Sequence, residues 1–196
     1  MKMNQAREIV KSFETVVDMM HDRMLYPDLQ ELVDFRDQQM GAAANNSRPV
    51  FHMDFPSCEL RIVYDMHPKF KVNDVKKILD YPGVVVLVSR EKPGTLALKG
   101  LEEAAKSIQV FDINELQFNV AKHSLVPIHE PIRAEEDIDR VIKAACVKSK
   151  FQLPLIHNTD AMARYLALKP GELVRIKRLS PSAGEYVSYR CCIKAG

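Results

Sequence analysis

Apolar residues recur at helical spacing along the first part of the chain. They lie three or four positions apart, so they share one face of a helix: Ile9, Val10, Phe13, Val16, Val17, Met20 and Met24. The pattern predicts a long N-terminal helix that buries one face. Pro27 can occupy the first turn of a second helix, which Leu29, Leu32, Val33 and Arg36 would continue. The small polar segment 41–47 then predicts a loop.

Strand patterns follow this loop. Phe51, Met53 and Phe55 alternate with polar residues, and Leu60, Ile62 and Tyr64 form a second alternating set beyond Pro56. Residues 84–88, VVVLV, are a continuous β-branched run that is typical of a strand covered on both faces. Helical patterns over 72–79 and 98–108 flank this run, and 108–111 predicts a further strand. This order predicts an α/β domain with partly parallel strands.

A second set of patterns begins after the segment 120–131, which contains Pro127 and Pro131 and is interpreted as a hinge. Residues 134–147 and 161–166 predict helices, the second capped from Asn158-Thr159-Asp160. Residues 153–156, 173–178 and 186–193 predict strands. The prediction is therefore an α/β (α+β) protein of two domains, 1–120 and 121–196. The first has a helical start and a small mixed sheet, and the second a compact mixed sheet with two helices.

Composition and charge restrict the class of protein. The chain has 196 residues, 46% of them hydrophobic, which is enough for one large domain or two small ones, each with its own core. It has neither an N-terminal apolar run nor a stretch of about 20 apolar residues, so we expect a soluble, intracellular protein with no membrane partner. The net charge of +2 is low for a free nucleic-acid-binding protein. Residues 169–196 hold six basic and two acidic residues, a net charge of +4 that suits an acidic protein groove or phosphate.

A search for catalytic and metal-binding motifs yields no strong candidate. The four cysteines form no C-x-x-C pair, so reduced, buried thiols are expected, with a Cys191–Cys192 disulfide as the less favoured alternative. His123 and His129 would share one face of a strand, but no third ligand is placed beside them. Nucleophile, zinc-protease, Walker and dinucleotide motifs do not occur. We expect no enzyme activity, no metal and no cofactor.

Two stretches of the C-terminal half carry a family resemblance, VAKHSLVPIH at 120–129 and the segment 152–190. Their order and spacing match H-x-L-V-P-x-H, L-P-x-I, A-x-Y-L, K-x-G, V-x-I-x-R and G-x-Y-x-S-Y-R. The matching residues include His123, Pro127, His129, Leu153, Pro154, Tyr165, Gly171, Arg178, Gly184, Tyr186, Tyr189 and Arg190. Over about 75 residues the chain resembles the subunit-five family of eukaryotic nuclear DNA-directed RNA polymerases, whose C-terminal part is similar to a small archaeal RNA polymerase subunit.

The N-terminal half resembles the jaw domain of the same family more loosely. The similarity covers the first helix, with Phe13, Val16 and Met20, and the loop Lys92-Pro93-Gly94-Thr95 before a helix. The small archaeal counterpart lacks this half, so the resemblance implies a eukaryotic-type enzyme, cellular or viral. Four positions depart from the family pattern: Leu155 for arginine, Ala161 for proline, Pro181 for glutamate, and Glu185 for a basic residue. They fall on expected contact positions, which suggests that the partner subunit diverged too, as in a copy dedicated to one polymerase.

The resemblance implies a non-catalytic scaffold subunit. The C-terminal domain would dock on the largest polymerase subunit, and the N-terminal domain would form part of the jaw near downstream duplex DNA, which it would contact weakly and non-specifically. The expected interface residues are His123, Pro127, His129, Arg178, Ser180, Gly184, Tyr186, Tyr189 and Arg190, and the expected DNA-proximal residues are Lys92, Pro93, Thr95 and Lys99. The expected location is the nucleus, or the nucleolus for a subunit of the ribosomal-RNA polymerase. The alternatives are a free DNA-binding transcription regulator and a small nuclease-like α/β enzyme.

Overall fold

The computed structural model describes residues 2–34, 50–76, 78–104, 107–180 and 184–195. The chain forms two compact units, Met1–Phe118 and Asn119–Gly196, called the N-terminal and C-terminal units below. Each unit has helices and one four-stranded mixed sheet, so the predicted α/β (α+β) class is confirmed. Arg36, the predicted loop 41–47 and Pro181 lie outside the described residues.

The N-terminal unit begins with helix α1 (Lys2–Asp22), and residues 29–34 form a second helical segment, α2. The prediction that the first helix extends to Met24 is wrong. The helix ends at Asp22, and Met24 has a φ of 62° and an exposed side chain. The Leu25 N–H donates to the Met20 carbonyl oxygen across this left-handed residue, an arrangement that closes helices. Glycine usually occupies this position, so the sequence carried no stop signal there.

The sheet of the N-terminal unit has the order β1-β2-β3-β4. Strand β1 (Val50–Phe55) pairs antiparallel with β2 (Leu60–Asp65) across a short 3₁₀ helix, Pro56–Cys58. Strands β3 (Val84–Ser89) and β4 (Ile108–Asp112) continue the sheet in parallel. Parallel neighbours need crossovers, and these contain helices α3 (Val72–Lys76) and α4 (Thr95–Ala104).

Both faces of this sheet are covered. On one face Val63, Val85 and Leu87 pack with Val75, Leu79 and Leu101 from the crossovers. On the other face the Tyr64 hydroxyl is 3.1 Å from the Ser12 hydroxyl of α1, and both residues are buried. Residues 85–88 are fully buried, which confirms the strand predicted from the VVVLV run.

The C-terminal unit has a sheet of order β5-β7-β8-β6. It contains β5 (Ile128–Ile132), β6 (Leu155–His157), β7 (Leu173–Ser180) and β8 (Gly184–Ile193). Strand β7 pairs antiparallel with β5 and β8, while β6 runs parallel to β8. Its helices are α5 (Glu135–Ala144) and α6 (Ala161–Tyr165), and the Asp160 carboxylate accepts hydrogen bonds from the Met162 and Ala163 N–H groups at the start of α6.

Strand β5 overlaps the segment 120–131, which we interpreted as a hinge. It contains Pro131 and directly follows Pro127, and prolines normally interrupt a sheet because they lack an N–H donor. An edge strand tolerates proline, since one side of its backbone has no partner strand, and β5 is at the edge of its sheet.

Candidate functional site

The hairpin formed by β7 and β8 brings most of the predicted interface residues onto one face. Directly opposite residues in an antiparallel pair project from the same face of the sheet. Arg178 is opposite Tyr186, Val174 is opposite Arg190, and His129 of β5 is opposite Ile176. Since alternate residues along one strand also share a face, His129, Arg178, Tyr186 and Arg190 form one surface, here called the basic face. Ser180 and Gly184, an opposite pair at the end of the ladder, lie on the same side.

The basic face presents two arginines, Arg178 and Arg190, that no acidic side chain of the described residues neutralises. In the described parts of the chain, the side chains of Arg178 and Arg190 form neither an ion pair nor a hydrogen bond. Arg178 is exposed, Arg190 is half-buried, and 56% of Tyr186 is exposed between them. A guanidinium can bind a carboxylate through two parallel hydrogen bonds, so this surface suits an acidic partner.

His129 lies at the inner edge of the basic face and is held by its own strand. Its Nδ1 is 2.7 Å from the Pro127 carbonyl oxygen, so Nδ1 carries the proton and donates it. Burial lowers the pKa of His129, and the nearby charges of Arg178 and Arg190 lower it further, against the opposing effects of the Pro127 bond and Asp160. The imidazole therefore favours its neutral form, and Pro127 acts through its carbonyl group.

Two predicted interface residues, Tyr189 and His123, lie elsewhere. Tyr189 projects from the opposite face, where it packs against the cluster of Val141, Leu153, Leu173 and Cys191. His123 precedes β5 instead of sharing a strand with His129, and its Nδ1 accepts a hydrogen bond from the Leu125 N–H. The structure thus separates the two tyrosines, as strand alternation predicts. It also places His129 on β5 and His123 before it, so the two histidines do not share a strand.

The positions that depart from the family pattern are dispersed. Leu155 is on β6, 45% exposed and opposite Cys191. Ala161 is the first residue of α6, where Asp160 provides the cap. Glu185 is exposed on β8, opposite Leu179.

The face opposite the basic face has charged groups that pair with one another. The Glu130 carboxylate accepts a hydrogen bond from the Arg175 Nε at 2.6 Å, and the Lys177 amine is 2.8 Å from its other oxygen. The hydrogen bond from Lys177, followed by that from Arg175, lowers the pKa of Glu130, which keeps it ionised. This triad is not evident from the sequence, although the alternation of Arg175 and Lys177 along β7 places both on one face.

The predicted DNA-proximal loop of the N-terminal unit combines one anchored residue with three exposed ones. Pro93 is buried, whereas Lys92, Thr95 and Lys99 are exposed. Thr95 begins α4, and Lys99 lies one helical turn further on the same side. The first N–H groups of a helix have no partner within the helix and attract phosphate. This arrangement can receive a phosphate group without any base-specific contact.

The cysteines and histidines do not assemble a metal centre in the described residues. No group of three histidine, cysteine or acidic side chains there is arranged to hold a metal ion. All four cysteines are free thiols. Burial raises the pKa of the Cys191 and Cys192 thiols, as expected for inert packing groups. The expectation of burial is wrong for Cys146, which is exposed after α5 ends, and Cys58 is half-buried.

None of the described helices has the length and apolar character needed to span a membrane.

Comparisons with known proteins agree on one family. The family model of the RNA polymerase Rpb5 C-terminal domain matches residues 118–192. The subunit rpabc1 of DNA-directed RNA polymerases I, II and III from Dictyostelium discoideum is 26% identical over 200 residues, covering 97% of this chain and 100% of that protein. The corresponding RPABC1 of Caenorhabditis elegans is 26% identical over 92% of this chain and 93% of its own length. The DNA-directed RNA polymerase subunit Rpo5 of Thermofilum pendens is 42% identical over 78 residues, which are 40% of this chain and 95% of that subunit.

Proposed function

The chain belongs to the Rpb5 family of RNA polymerase subunits, and on that premise we propose that it docks on the largest subunit of a DNA-directed RNA polymerase through the basic face of its C-terminal unit. The observation that carries this proposal is the pair of arginines, Arg178 and Arg190, which lie with Tyr186 on one sheet face without a carboxylate partner among the described residues. Tyrosine and arginine are the side chains that contribute most often to binding hot spots.

The archaeal relative supports the choice of unit. Almost the whole of that protein aligns with 78 residues of this chain, and its name describes it as a polymerase subunit. The family model that matches 118–192 covers nearly the same region as the C-terminal unit. A protein of this size therefore carries enough surface to assemble into a polymerase, and we assign the assembly contacts of the present chain to the corresponding unit.

We assign a structural role to the chain and no catalytic one. The resemblance implies that phosphodiester chemistry belongs to the two largest subunits and their magnesium. The N-terminal unit would form part of the jaw beside downstream duplex DNA, with Lys92, Thr95 and Lys99 towards the phosphates and the buried Pro93 fixing the loop. We place the protein in the nucleus, and in the nucleolus if it is dedicated to the ribosomal-RNA polymerase.

The docking proposal is tested with the double variant Arg178→Ala/Arg190→Ala in the full chain. Its association with the largest subunit, measured by co-purification, should weaken by about 2–5 kcal/mol for each buried ion pair that is truncated. Its melting temperature should change little, because neither side chain belongs to a core cluster. Arg133→Ala/Arg140→Ala removes the same charge from side chains that pair with acids of this chain, and should assemble as the wild type does.

Two results would count against the docking proposal. Normal assembly with an unchanged melt would show that Arg178 and Arg190 are ordinary surface charges. Alternatively, the alanine variant could melt at a lower temperature while Arg178→Lys/Arg190→Lys melts and assembles as the wild type does. That result would show that the charge of these residues supports the fold and that bidentate pairing is not needed.

The DNA contact is tested by titrating the isolated chain with duplex DNA. With a net charge of +2, we expect dissociation constants of about 10⁻⁴ to 10⁻⁶ M at physiological salt. Lys92→Ala/Lys99→Ala should weaken binding. It should also reduce the slope of log K against log salt concentration by the amount that corresponds to about two phosphate contacts. Nanomolar binding by the free chain would instead favour the alternative of a DNA-binding regulator.

No group of three potential metal ligands occurs among the described residues, so nothing there favours the nuclease-like alternative.

A further inference from the structure

The outer end of the β7–β8 hairpin exposes apolar side chains on the face opposite the basic face. Leu179 is 92% exposed, Ile128 63% and Val187 38%. Ile128 of β5 is opposite Lys177, and Lys177 is opposite Val187, so these residues form one cross-strand row. Leu179 is two residues further along β7 and projects from the same side. Ile128, Leu179 and Val187 are called the apolar patch below.

Within the described residues, the chain covers only the inner part of this face. Val141 of α5 packs with Leu153, Leu173 and Cys191, and Tyr189 closes the outer border of that cluster. Beyond Tyr189, the next residue of β8 on this side is Val187, which is already exposed. The apolar patch therefore continues the buried core outwards, and no element of the described part of the chain covers it.

The basic side chains beside the patch are already paired, whereas an acid at its rim is not. The Lys177 amine binds Glu130, which also holds Arg175, so the aliphatic stem of Lys177 remains between Ile128 and Val187. Glu185, opposite Leu179, is an exposed acid at the outer rim, and no described residue pairs with it. The patch therefore fits an apolar segment with a basic or hydrogen-bond-donating residue beside Glu185, whereas the basic face fits carboxylates.

The two faces are separated by a single layer of backbone. Strand β5 pairs with β7 only as far as Lys177, and β6 pairs with β8 only at Cys191–Ile193, so beyond Lys177 the sheet is a ribbon of two strands. Arg178 and Tyr186 on the basic face are chain neighbours of Leu179 and Val187 in the patch. Two-stranded ribbons are marginally stable in water unless something packs on them.

We infer that one polymerase subunit clamps the outer end of this hairpin from both sides, with acidic residues on the basic face and an apolar segment on Ile128, Leu179 and Val187. The inference rests on the proposed docking to the largest subunit and specifies how that subunit binds. It assigns the largest subunit as the occupant because a partner that reaches Arg178 and Tyr186 is within one backbone thickness of the patch, so the patch continues the proposed docking surface around the edge of the hairpin.

The test is an assembly competition in cells that express tagged and untagged copies of the full chain. The tagged copy carries Leu179→Thr/Val187→Thr, which removes apolar area while retaining residues that favour strands. Its incorporation, read as the tagged fraction that co-purifies with the largest subunit, should fall roughly tenfold relative to the tagged wild type. Leu29→Gln/Leu96→Gln, which alters two exposed apolar residues of the N-terminal unit, should be incorporated normally.

Salt separates the two contacts. The co-purification is repeated between about 0.15 M and about 0.5 M salt. The recovery of the threonine variant relative to the wild type should not change with salt, because apolar contacts are not screened. The difference in recovery between Arg178→Ala/Arg190→Ala and the wild type should become smaller as salt rises. Leu179→Glu, at a side chain with almost no packing, gives a second variant in case the threonine pair melts early, and it should also be excluded from the polymerase.

Three outcomes would overturn the inference. Normal incorporation of both the threonine pair and Leu179→Glu, with loss of the arginine variant, would leave docking intact and show that the patch is uncovered. A dimer of the purified chain that the threonine pair dissociates would assign the patch to a second copy. Normal incorporation of the arginine variant as well would remove the docking proposal itself.

Discussion

Gly83 illustrates how one residue is fixed by the approach of two backbones. It directly precedes β3, where the Val84 N–H donates to the Glu59 carbonyl oxygen at 2.9 Å. A Cβ on Gly83 would overlap this carbonyl and would lie 2.8 Å from the edge of the Tyr81 ring. The sequence alone does not reveal this contact, because it depends on the pairing of β2 with β3.

Gly83→Ala should therefore destabilise the N-terminal unit by about 1–3 kcal/mol, since backbone must move to admit the methyl group. Gly94→Ala is the matched control, because a Cβ at Gly94 would have no neighbour within 4 Å. Urea unfolding of both full-length variants measures the difference. Equal midpoints for the two variants would show that Glu59 and Gly83 are further apart in solution.

His129 should make the stability of the C-terminal unit depend on pH. Its pKa in the folded unit lies below the ordinary value of 6.5, mainly through burial, so protons bind the unfolded chain more readily. The stabilisation is complete above about pH 6.5 and decreases as the pH falls from there towards the folded pKa. In His129→Asn, whose amide can still donate to the Pro127 carbonyl, this decrease should be smaller. Melting curves between about pH 7.5 and about pH 5 test this, and parallel curves for both proteins would contradict it.

Some features could be predicted from the sequence alone, and others could not. Strand alternation correctly separated Tyr186 from Tyr189. The motif around Arg178, Tyr186 and Arg190 predicted interface residues, and that stays a prediction. The ion pairs of Glu130 escaped detection because its partners are about 45 residues away along the chain, and only the register of β5 on β7 joins them.

At the scale of elements, strands β1 and β2 are joined by more than their backbone ladder. Arg61 of β2 binds both carboxylate oxygens of Asp54 on β1, at 2.5 and 2.7 Å. Its remaining nitrogen donates to the Ile78 carbonyl oxygen at 2.7 Å, and its guanidinium lies over the Tyr81 ring. The hydrogen bonds from Arg61 are the largest cause that lowers the pKa of Asp54. One side chain thus ties the first hairpin to the end of the α3 crossover.

Arg61→Met should lower the free energy of unfolding by about 1.5–3 kcal/mol, because charged hydrogen bonds are lost and Asp54 keeps no arginine partner. Arg140→Met on α5, which removes two highly exposed ion pairs, should cost about 0–1 kcal/mol. Chemical denaturation of both variants makes the comparison. Equal losses would show that the Arg61 contacts exchange freely with water.

Element types were predicted better than element limits. Periodicity located the buried β3 and the long α1, because a strong apolar pattern fixes the type of an element. The end of α1 and the strand β5 were missed for physical reasons. Met24 adopts a left-handed conformation that glycine normally signals, and the prolines around β5 are tolerated only because β5 is an edge strand.

At the scale of the whole molecule, we expect the C-terminal unit to fold alone. It has its own sheet and its own apolar cluster around Leu173 and Cys191, and an archaeal subunit of nearly this length exists. A fragment of residues 119–196 should unfold in a single cooperative transition on heating. A gradual loss of structure would show that the unit needs residues before 119.

We propose that this chain joins an RNA polymerase through its C-terminal unit, and truncation followed by affinity purification is the decisive test of that proposal. Tagged full-length chain, residues 119–196 and residues 1–118 would each be expressed in the native host, and the co-purifying large polymerase subunits would be identified and quantified. We expect the largest subunit to be recovered with the full chain and with residues 119–196, and to be absent with residues 1–118. Recovery with residues 1–118 alone, or recovery with neither fragment despite normal folding of both, would show that the C-terminal unit is not the assembly unit.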